Sequence, residues 1–422
     1  MIRAVSMSHK TAPLKTREQF SLGPEGRGRV RRKVLTATSG VVVVETCNRV
    51  EIYADSESSE FSLLDVVVEV VGGGRPAAAR AFVEKRGTAV VDHLFRVAAG
   101  LESAVIGETE VLGQVRTAFA ESVADGSSGP VVSHLFHSAI RAGRAVRTKT
   151  TISSNAVSVP SLAARMASIR LGGLAGRGAL VVGTGDAGRL AATALAGMGA
   201  SPLFIANRNF ERAELLATAL DGTPIRLTDV VNTLPHSDVV LTSAGADNFL
   251  VEASAVGSAM AVREGSVMVL VDLAVPRSID PKAGDISGVT LLDLDAVQSE
   301  AAENVIKRSD AVAAAEAVVN DHVIRFIDWL GQQTVVPTIK DLISWAESVR
   351  RKQVERAFRG SDLTVDERER LAPVLDRFSQ GLVQQLLAPP IASIRDAGER
   401  EARAAAVRSL FRLGEQPEDS LE

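Results

Sequence analysis

The chain is almost without cysteine. Cys47 is the only one in 422 residues, which excludes an internal disulfide and any cluster of thiolate metal ligands. Aromatic residues are scarce at 4%, so the cores must be built from Val, Leu, Ile and Ala. No surplus of positive charge marks the whole chain. With a net charge of −4, contact with a nucleic acid would have to rest on a local patch. No apolar run approaches membrane-spanning length, and the opening MIRAVSMSHK lacks the apolar block of a secretory signal. These absences predict a cytoplasmic protein in a reducing compartment. What is present is an ordinary globular composition, 46% hydrophobic and 23% charged. The chain is too long for one simple core, so two or three domains are expected.

The patterning separates three zones. The first runs to about Asn155 and mixes short strands with helices. Strands are predicted at Ile2–Met7, Val41–Glu45 and Val50–Tyr53, a basic helix over Arg27–Thr36, and an arginine-rich helix over Ser133–Lys149. ADSESSE and the run Gly126–Pro130 read as solvated loops. The second zone, from near Ser158 to about Asp295, alternates apolar runs with helical stretches. Ala179–Val182, Leu203–Ala206, Val239–Ala244 and Val267–Asp272 are short and largely apolar. That suits central strands of a parallel sheet buried on both faces, hence a doubly wound α/β domain. The third zone, from about Ala296, is helical. Val312, Val319, Val323, Phe326 and Leu330 fall on one stripe. Breaks are predicted at Pro337, at SDL and at Pro389-Pro390, giving helices over Pro337–Arg359, Val365–Leu387 and Ile391–Leu413, with a frayed end at EQPEDSLE.

In VVGTGDAG, Gly183, Gly185 and Gly188 stand in G-x-G-x-x-G register, with Thr184, Asp186 and Ala187 between them. Alone the pattern is weak, and a non-binding glycine turn would satisfy it. Here it follows an apolar strand and opens a helical stretch over Ala187–Gly197, which is the context a dinucleotide site needs. The glycines permit the tight turn, the approach of backbone N–H groups to a pyrophosphate, and close helix–strand packing. The next strand ends in Asn207-Arg208. An acidic residue there would favour NADH; a cation able to meet a 2′-phosphate favours NADPH.

Cys47 lies just past the valine run, where a strand gives way to a loop, and Arg49 nearby would favour its thiolate. Position alone leaves a reactive thiol and an inert buried one equally open. The pairing with a nicotinamide domain tips the balance. A thiolate can take an acyl group from an ester, and the resulting thioester accepts hydride more readily than the ester did. Cysteine plus NADPH therefore suggests acyl reduction, or aldehyde oxidation in reverse.

SHKTAPLKTRE (8–18), ETCNRVEIYA (45–54), HLFRVAAGLESAVIGETEVLGQVRTAF (93–119), GTGDAG, ANRNFERA and DLAVPRSID together resemble the glutamyl-tRNA reductase family. The resemblance implies an N-terminal α+β catalytic domain (1–155), a Rossmann-type NADPH domain (156–299), a connecting helix (300–335) and an all-α dimerisation domain (336–422). It implies reduction of glutamyl-tRNA(Glu) by NADPH to glutamate-1-semialdehyde, the first step of five-carbon tetrapyrrole synthesis, by a homodimer. A hand-off of the aldehyde to glutamate-1-semialdehyde aminomutase goes with it. Carried over by motif, Cys47 is the nucleophile. Thr46, Asn48 and Arg49 line the glutamate pocket, Arg49 with a fork suited to a carboxylate. His93 either assists proton transfer or holds the reacting group. Ser103, Glu108, Thr109, Glu110 and Gln114 fall in the substrate-contacting block. Many relatives have Glu-Pro-Gln where this chain has Glu108-Thr109-Glu110, and an inward Glu110 would repel a glutamyl carboxylate. Gln114 stands off the apolar row Val111, Val115, Phe119 and Val123. His9 and Lys10 shape the same cleft or simply form a turn.

Arg141, Arg144, Arg147 and Lys149, with Arg165 and Arg170 downstream, form either a phosphate-binding face or a solvated charged one. Two readings from other classes stand beside the main one: a non-catalytic paralogue that binds tRNA or a partner enzyme, and a shikimate-dehydrogenase-like oxidoreductase that would not need the thiol. With the cysteine and the glycine loop in different domains, hydride transfer is expected to involve a domain movement about the helix near Ala301–Leu330.

Overall fold

The computed structural model describes residues 1–422 apart from 57, 59, 60, 74, 75, 153–157, 246, 247, 264, 304–308, 397 and 414–422. The boundary expected at Asn155, part of ADSESSE and the end EQPEDSLE lie outside the described residues. The chain divides into two compact units, Met1–Val323 and Ile324–Glu422.

The first unit opens with β1 (Ile2–Ser8), α1 (Leu14–Gln19), α2 (Gly23–Leu35), β2 (Gly40–Glu45), β3 (Arg49–Asp55), α3 (Leu63–Gly72), α4 (Pro76–Ala81), β4 (Val83–Arg86), α5 (Thr88–Ala98), α6 (Glu110–Ala124) and α7 (Pro130–Lys149). The strands form an antiparallel sheet in the order β2-β3-β1-β4. Successive side chains of a strand point to opposite faces. On β3, Val50, Ile52 and Ala54 join Val5, Met7, Val41 and Val43 in an apolar core, covered by α2 and α3. Arg49, Glu51 and Tyr53 take the other face, where α5, α6 and α7 pack against the sheet. Tyr53 meets the edge of Phe136 of α7 at 5.3 Å between ring centres. The segment between α5 and α6 turns at Gly107. Its φ is +83°, and a Cβ there would lie 2.4 Å from the Ile152 carbonyl oxygen, so only glycine fits.

The unit continues with α8 (Val159–Leu171), β5 (Ala179–Val182), α9 (Asp186–Gly197), β6 (Leu203–Asn207), α10 (Phe210–Ala219), β7 (Thr223–Arg226), α11 (Val230–Thr233), β8 (Val239–Thr242), α12 (Ala253–Val262), β9 (Met268–Asp272), β10 (Val289–Asp293) and α13 (Leu294–Glu303). The strand order is β7-β6-β5-β8-β9-β10, all parallel. This is the doubly wound arrangement, with a crevice where the order reverses beside β5. Val181, Leu241 and Val271 pack on one face, and Leu180, Val182, Val240 and Leu270 on the other. The predicted strands all form. β4, β7 and β10 were not anticipated.

The remaining helices are α14 (Ser309–Arg359), α15 (Val365–Arg395) and α16 (Arg400–Phe411). Of the predicted stripe, Val319, Val323 and Phe326 are buried, while Val312 and Leu330 are half-buried. The breaks predicted at Pro337 and at Pro389-Pro390 do not occur: α14 and α15 run through them. A proline inside a helix removes one hydrogen bond and crowds the preceding turn, at a cost of about 3 kcal/mol. Burial of Val335, Ile339, Leu342 and Ala346 on α14, and of Leu387 and Ile394 on α15, offsets that cost on either side of the prolines. No helix among the described residues is long and apolar enough to cross a membrane.

Candidate active site

Three residues, Thr46, Cys47 and Asn48, join β2 to β3. The Thr46 N–H donates to the Arg49 carbonyl at 2.9 Å, and the Asn48 N–H donates to the Thr46 hydroxyl at 3.1 Å. These bonds close a tight hairpin with Cys47 at its apex. Cys47 faces a cavity of about 460 Å³, which it lines with Glu108, Glu110 and Gln114. Asp186 and Ala187, at the start of α9, line the same cavity from the nucleotide-type domain.

The expected thiolate is not favoured here. Burial, then the charge of Glu108, pushes the Cys47 thiol up to about 11; Arg17 and Arg49 pull the other way but are outweighed. Glu108 is itself pushed up to about 7, first by burial and then by Glu110, against the influence of Ser103, Arg49 and Arg147. The cavity therefore holds a neutral thiol beside a carboxyl that titrates near neutrality.

Behind the hairpin lies a buried polar network. The Glu51 side chain is fully buried. It accepts from Arg49 at 3.0 Å, Ser6 at 3.0 Å and Tyr53 at 2.6 Å, and lies 2.9 Å from His93 Nε2. Burial alone would raise its carboxyl, but Arg49, His93 and Tyr53 outweigh that and hold it far below the usual range. With Glu51 ionised, His93 Nε2 carries the shared proton and donates. His93 thus touches Glu51, and does not line the cavity that Cys47 faces. Arg49 spends its other terminal nitrogen on the Glu102 carbonyl at 2.7 Å, so its fork is already partly engaged. Glu102 in turn accepts from Lys10 at 2.5 Å and Arg96 at 2.9 Å. The His9 N–H donates to the Asn48 carbonyl at 2.9 Å. Burial, with Arg49, Arg17 and Lys10 nearby, pushes its imidazole down to about 4, so the ring is neutral at pH 7.

Ser103 is buried, and its hydroxyl makes no hydrogen bond among the described residues. Glu110 does turn inward: it lines the cavity, and its Oε2 is buried without a hydrogen-bond partner among the described residues. Thr109 is exposed. Gln114 is exposed on the cavity side of α6, while Val123, expected on the apolar row, is 53% exposed. Arg147 is half-buried and donates to the Thr109 carbonyl at 3.2 Å. It braces the loop before α6, and the basic face retains Arg141, Arg144 and Lys149 as exposed members.

The glycine loop follows β5. Gly183 has φ +109°, and a Cβ on Gly188 would lie 1.9 Å from the Gly183 carbonyl oxygen. Gly185 is different: a Cβ there meets nothing within 4 Å. The open space is what a ligand's close approach to the backbone requires. Thr184 is half-buried between the two glycines, and α9 begins at Asp186. A second cavity, about 550 Å³, is lined by Gly183, Asn207, Arg208 and Arg212.

Comparison with known proteins bears on both domains. The profile of the glutamyl-tRNAGlu reductase N-terminal domain matches residues 5–150, that of shikimate/quinate 5-dehydrogenase residues 165–300, and that of the glutamyl-tRNAGlu reductase dimerisation domain residues 314–413. A glutamyl-tRNA reductase from Rubrobacter xylanophilus is 37% identical over 98% of this chain and 97% of its own length. One from Pelotomaculum thermopropionicum is 33% identical over 99% and 96%. The chain belongs to the glutamyl-tRNA reductase family. The solved glutamyl-tRNA reductase from Methanopyrus kandleri shares its fold, with a TM-score of 0.53 and 28% identity over 98% of this chain and 99% of that one. Within this reductase-family chain, the blocks SHKTAPLKTRE and ETCNRVEIYA meet at the hairpin: Arg17 donates to the Cys47 carbonyl at 2.7 Å and to Asn48 Oδ1 at 3.3 Å. Arg17, Glu51 and Arg212 were not singled out from the sequence. Glu51 had a signal, since Arg49, Glu51 and Tyr53 alternate along one strand. Arg17 and Arg212 had none beyond their place in the reductase blocks.

Proposed function

We propose that this chain reduces the glutamyl ester of glutamyl-tRNA(Glu) to glutamate-1-semialdehyde, the first step of five-carbon tetrapyrrole synthesis. The observation that carries the reading is the shared cavity. The lone cysteine, at a hairpin apex, faces the same space as the start of the helix that follows the glycine loop. Glu108 takes the Cys47 proton, and the sulfur attacks the ester carbonyl carbon. Collapse of the tetrahedral adduct breaks the C–O bond to the terminal ribose, whose oxygen takes the proton, and leaves a thioester on Cys47. When bound, the nicotinamide cofactor supplies the hydride that reduces the thioester carbonyl. Release of the aldehyde then breaks the C–S bond, and the leaving thiolate takes up a proton from solvent to restore the thiol.

The other side chains bind and orient. Arg49 meets the glutamyl side-chain carboxylate with the donors it has left, and Thr46, Asn48 and Gln114 border the same group. Glu110, with its buried free oxygen, suits the α-ammonium, which answers the concern that an inward acid repels the substrate. Ser103 and Thr109 belong to the same sequence block but stand outside the cavity lining, and support it from behind. His93 is read as a positioning residue, acting on Arg49 through Glu51. Gly183, Thr184, Gly185, Asp186, Ala187 and Gly188 hold the pyrophosphate of the cofactor. Asn207, Arg208 and Arg212 favour NADPH over NADH by meeting a 2′-phosphate.

The functional segments are 1–155, 156–299, 300–335 and 336–422, although one helix crosses residue 335. The last segment joins two copies. On α15, Leu371, Val374, Phe378, Leu382 and Leu386 remain exposed at helical spacing, and Phe378 is 68% exposed. A hand-off of the labile aldehyde to an aminomutase fits this chemistry. Incubation with tRNA carrying labelled glutamate, without NADPH, tests the reading. Label is expected on the peptide that contains Cys47; label elsewhere, or none, rejects it.

A further inference from the structure

Two of the sequence blocks, SHKTAPLKTRE and DLAVPRSID, take no part in the chemistry above, yet they face each other. Glu18 of α1 accepts three hydrogen bonds from Arg277, which follows β9: from the backbone N–H, Nε and Nη2, each at 2.8 Å. One turn earlier, the Leu14 N–H donates to Asp295 Oδ2 of α13 at 2.9 Å. The Arg17 guanidinium, 2% exposed, pairs with Asp295 Oδ1. Gln298 of α13 donates to Asn48 Oδ1 at 2.6 Å. The short helix α1 is therefore clamped to the nucleotide-type domain at two points. Its Arg17 simultaneously holds the Cys47 carbonyl, so the same guanidinium grips the nucleophile's hairpin and the neighbouring domain.

We propose that Glu18–Arg277 and Arg17–Asp295 form a latch that seats the nucleotide-binding domain on the Cys47 hairpin. Glu18 and Arg277 are its positioning residues for the hydride step. The inference rests on the reading of Cys47 as the acyl acceptor. Acyl transfer to sulfur uses the N-terminal domain and is indifferent to the Glu18–Arg277 arm of the latch, which touches neither Cys47 nor its hairpin. Hydride delivery needs the two domains seated and depends on it. A bidentate, half-buried arginine–carboxylate pair with a third bond from the backbone has the fixed geometry such a seat requires.

The test uses the full chain with Glu18→Arg, Arg277→Glu and the double exchange. Hydrogen exchange at the Leu14 amide, read with neither substrate nor cofactor, reports the seat, because its acceptor Asp295 lies across the interface and is untouched by the substitutions. In each single variant, Leu14 protection is expected to fall about tenfold. Semialdehyde formation should fall by a similar factor, with unchanged label transfer to Cys47 in the absence of NADPH; the double exchange restores protection and turnover. Unchanged Leu14 protection in the single variants, a parallel fall in label transfer, or no recovery in the double exchange overturns the latch. If the unsubstituted chain takes no label on Cys47, the proposed activity fails, while Leu14 protection still decides whether the seat exists.

Discussion

On β3 every second residue is a hydrogen-bonding side chain, Arg49, Glu51 and Tyr53; on β5, the central strand beside the switch point of the other sheet, all four residues are apolar. The first sheet brings side-chain chemistry to one face of an interior strand and has to satisfy it in a buried place, which it does with Ser6, His93 and Tyr53 around one carboxylate. The second brings only backbone, and what matters at its end is the absence of side chains at Gly183, Gly185 and Gly188. A substitution in the first region leaves a charge without its partner. In the second it puts atoms where there is no room, or where a ligand has to come.

That contrast can be broken or sharpened, starting where the effect should be greatest. Cys47→Ser should lower semialdehyde formation at least about a thousandfold, since it removes a nucleophile; a rate near that of the parent would detach the chemistry from the first sheet. Gly188→Ala and Gly185→Ala come next as a pair. The first drives a Cβ to 1.9 Å from a carbonyl oxygen and the second meets nothing. Gly188→Ala is therefore expected to destabilise the fold by about 2–3 kcal/mol in denaturant. Gly185→Ala should leave stability alone and weaken NADPH about tenfold in a binding titration. Equal stabilities for the two would mean that packing does not distinguish these positions.

Glu51→Gln should cost about 3 kcal/mol at pH 7, because Arg49 loses its buried counter-charge. The Glu51 carboxyl is depressed in the fold, so its contribution is present above the unfolded carboxylate range and is lost as pH falls toward the folded value. Acid unfolding curves of the parent and the variant should accordingly converge at low pH. Glu108 has the opposite sign. Raised to about 7, it favours the fold when protonated, and that stabilisation declines as pH climbs from the usual carboxylate value to about 7. Label transfer to Cys47 should increase across the same range, and Glu108→Gln should flatten that rise. The smallest effect is expected at the surface: Arg144→Glu should reduce the salt slope of tRNA binding by about one.

Much of the fold was legible because its central strands are apolar on both faces. β4, β7 and β10 were not, and all three are sheet edges. An edge strand need not bury both faces, and VEKR or TPIR carries no run for a reader to find. The prolines misled for a different reason: local propensity predicts a break, and the packing of α14 and α15 overrides it. At the site, Cys47 and the glycine loop could be named from strand ends and spacing. The thiol's protonation could not, because it depends first on burial and then on Glu108 arriving from a segment sixty-one positions away. Nor could the engagement of Arg147 with a loop carbonyl, since a basic helix looks the same whether its arginines face solvent or a neighbour.

The raised thiol has a consequence for how the resting protein meets its surroundings. With burial and then Glu108 holding the thiol up, the neutral form dominates at pH 7. Peroxides and alkylating agents react with the anion, so the idle protein should be slow to oxidise or to alkylate. A sulfur kept dormant until an acyl ester arrives is spared the side reactions that shorten the working life of more acidic cysteines.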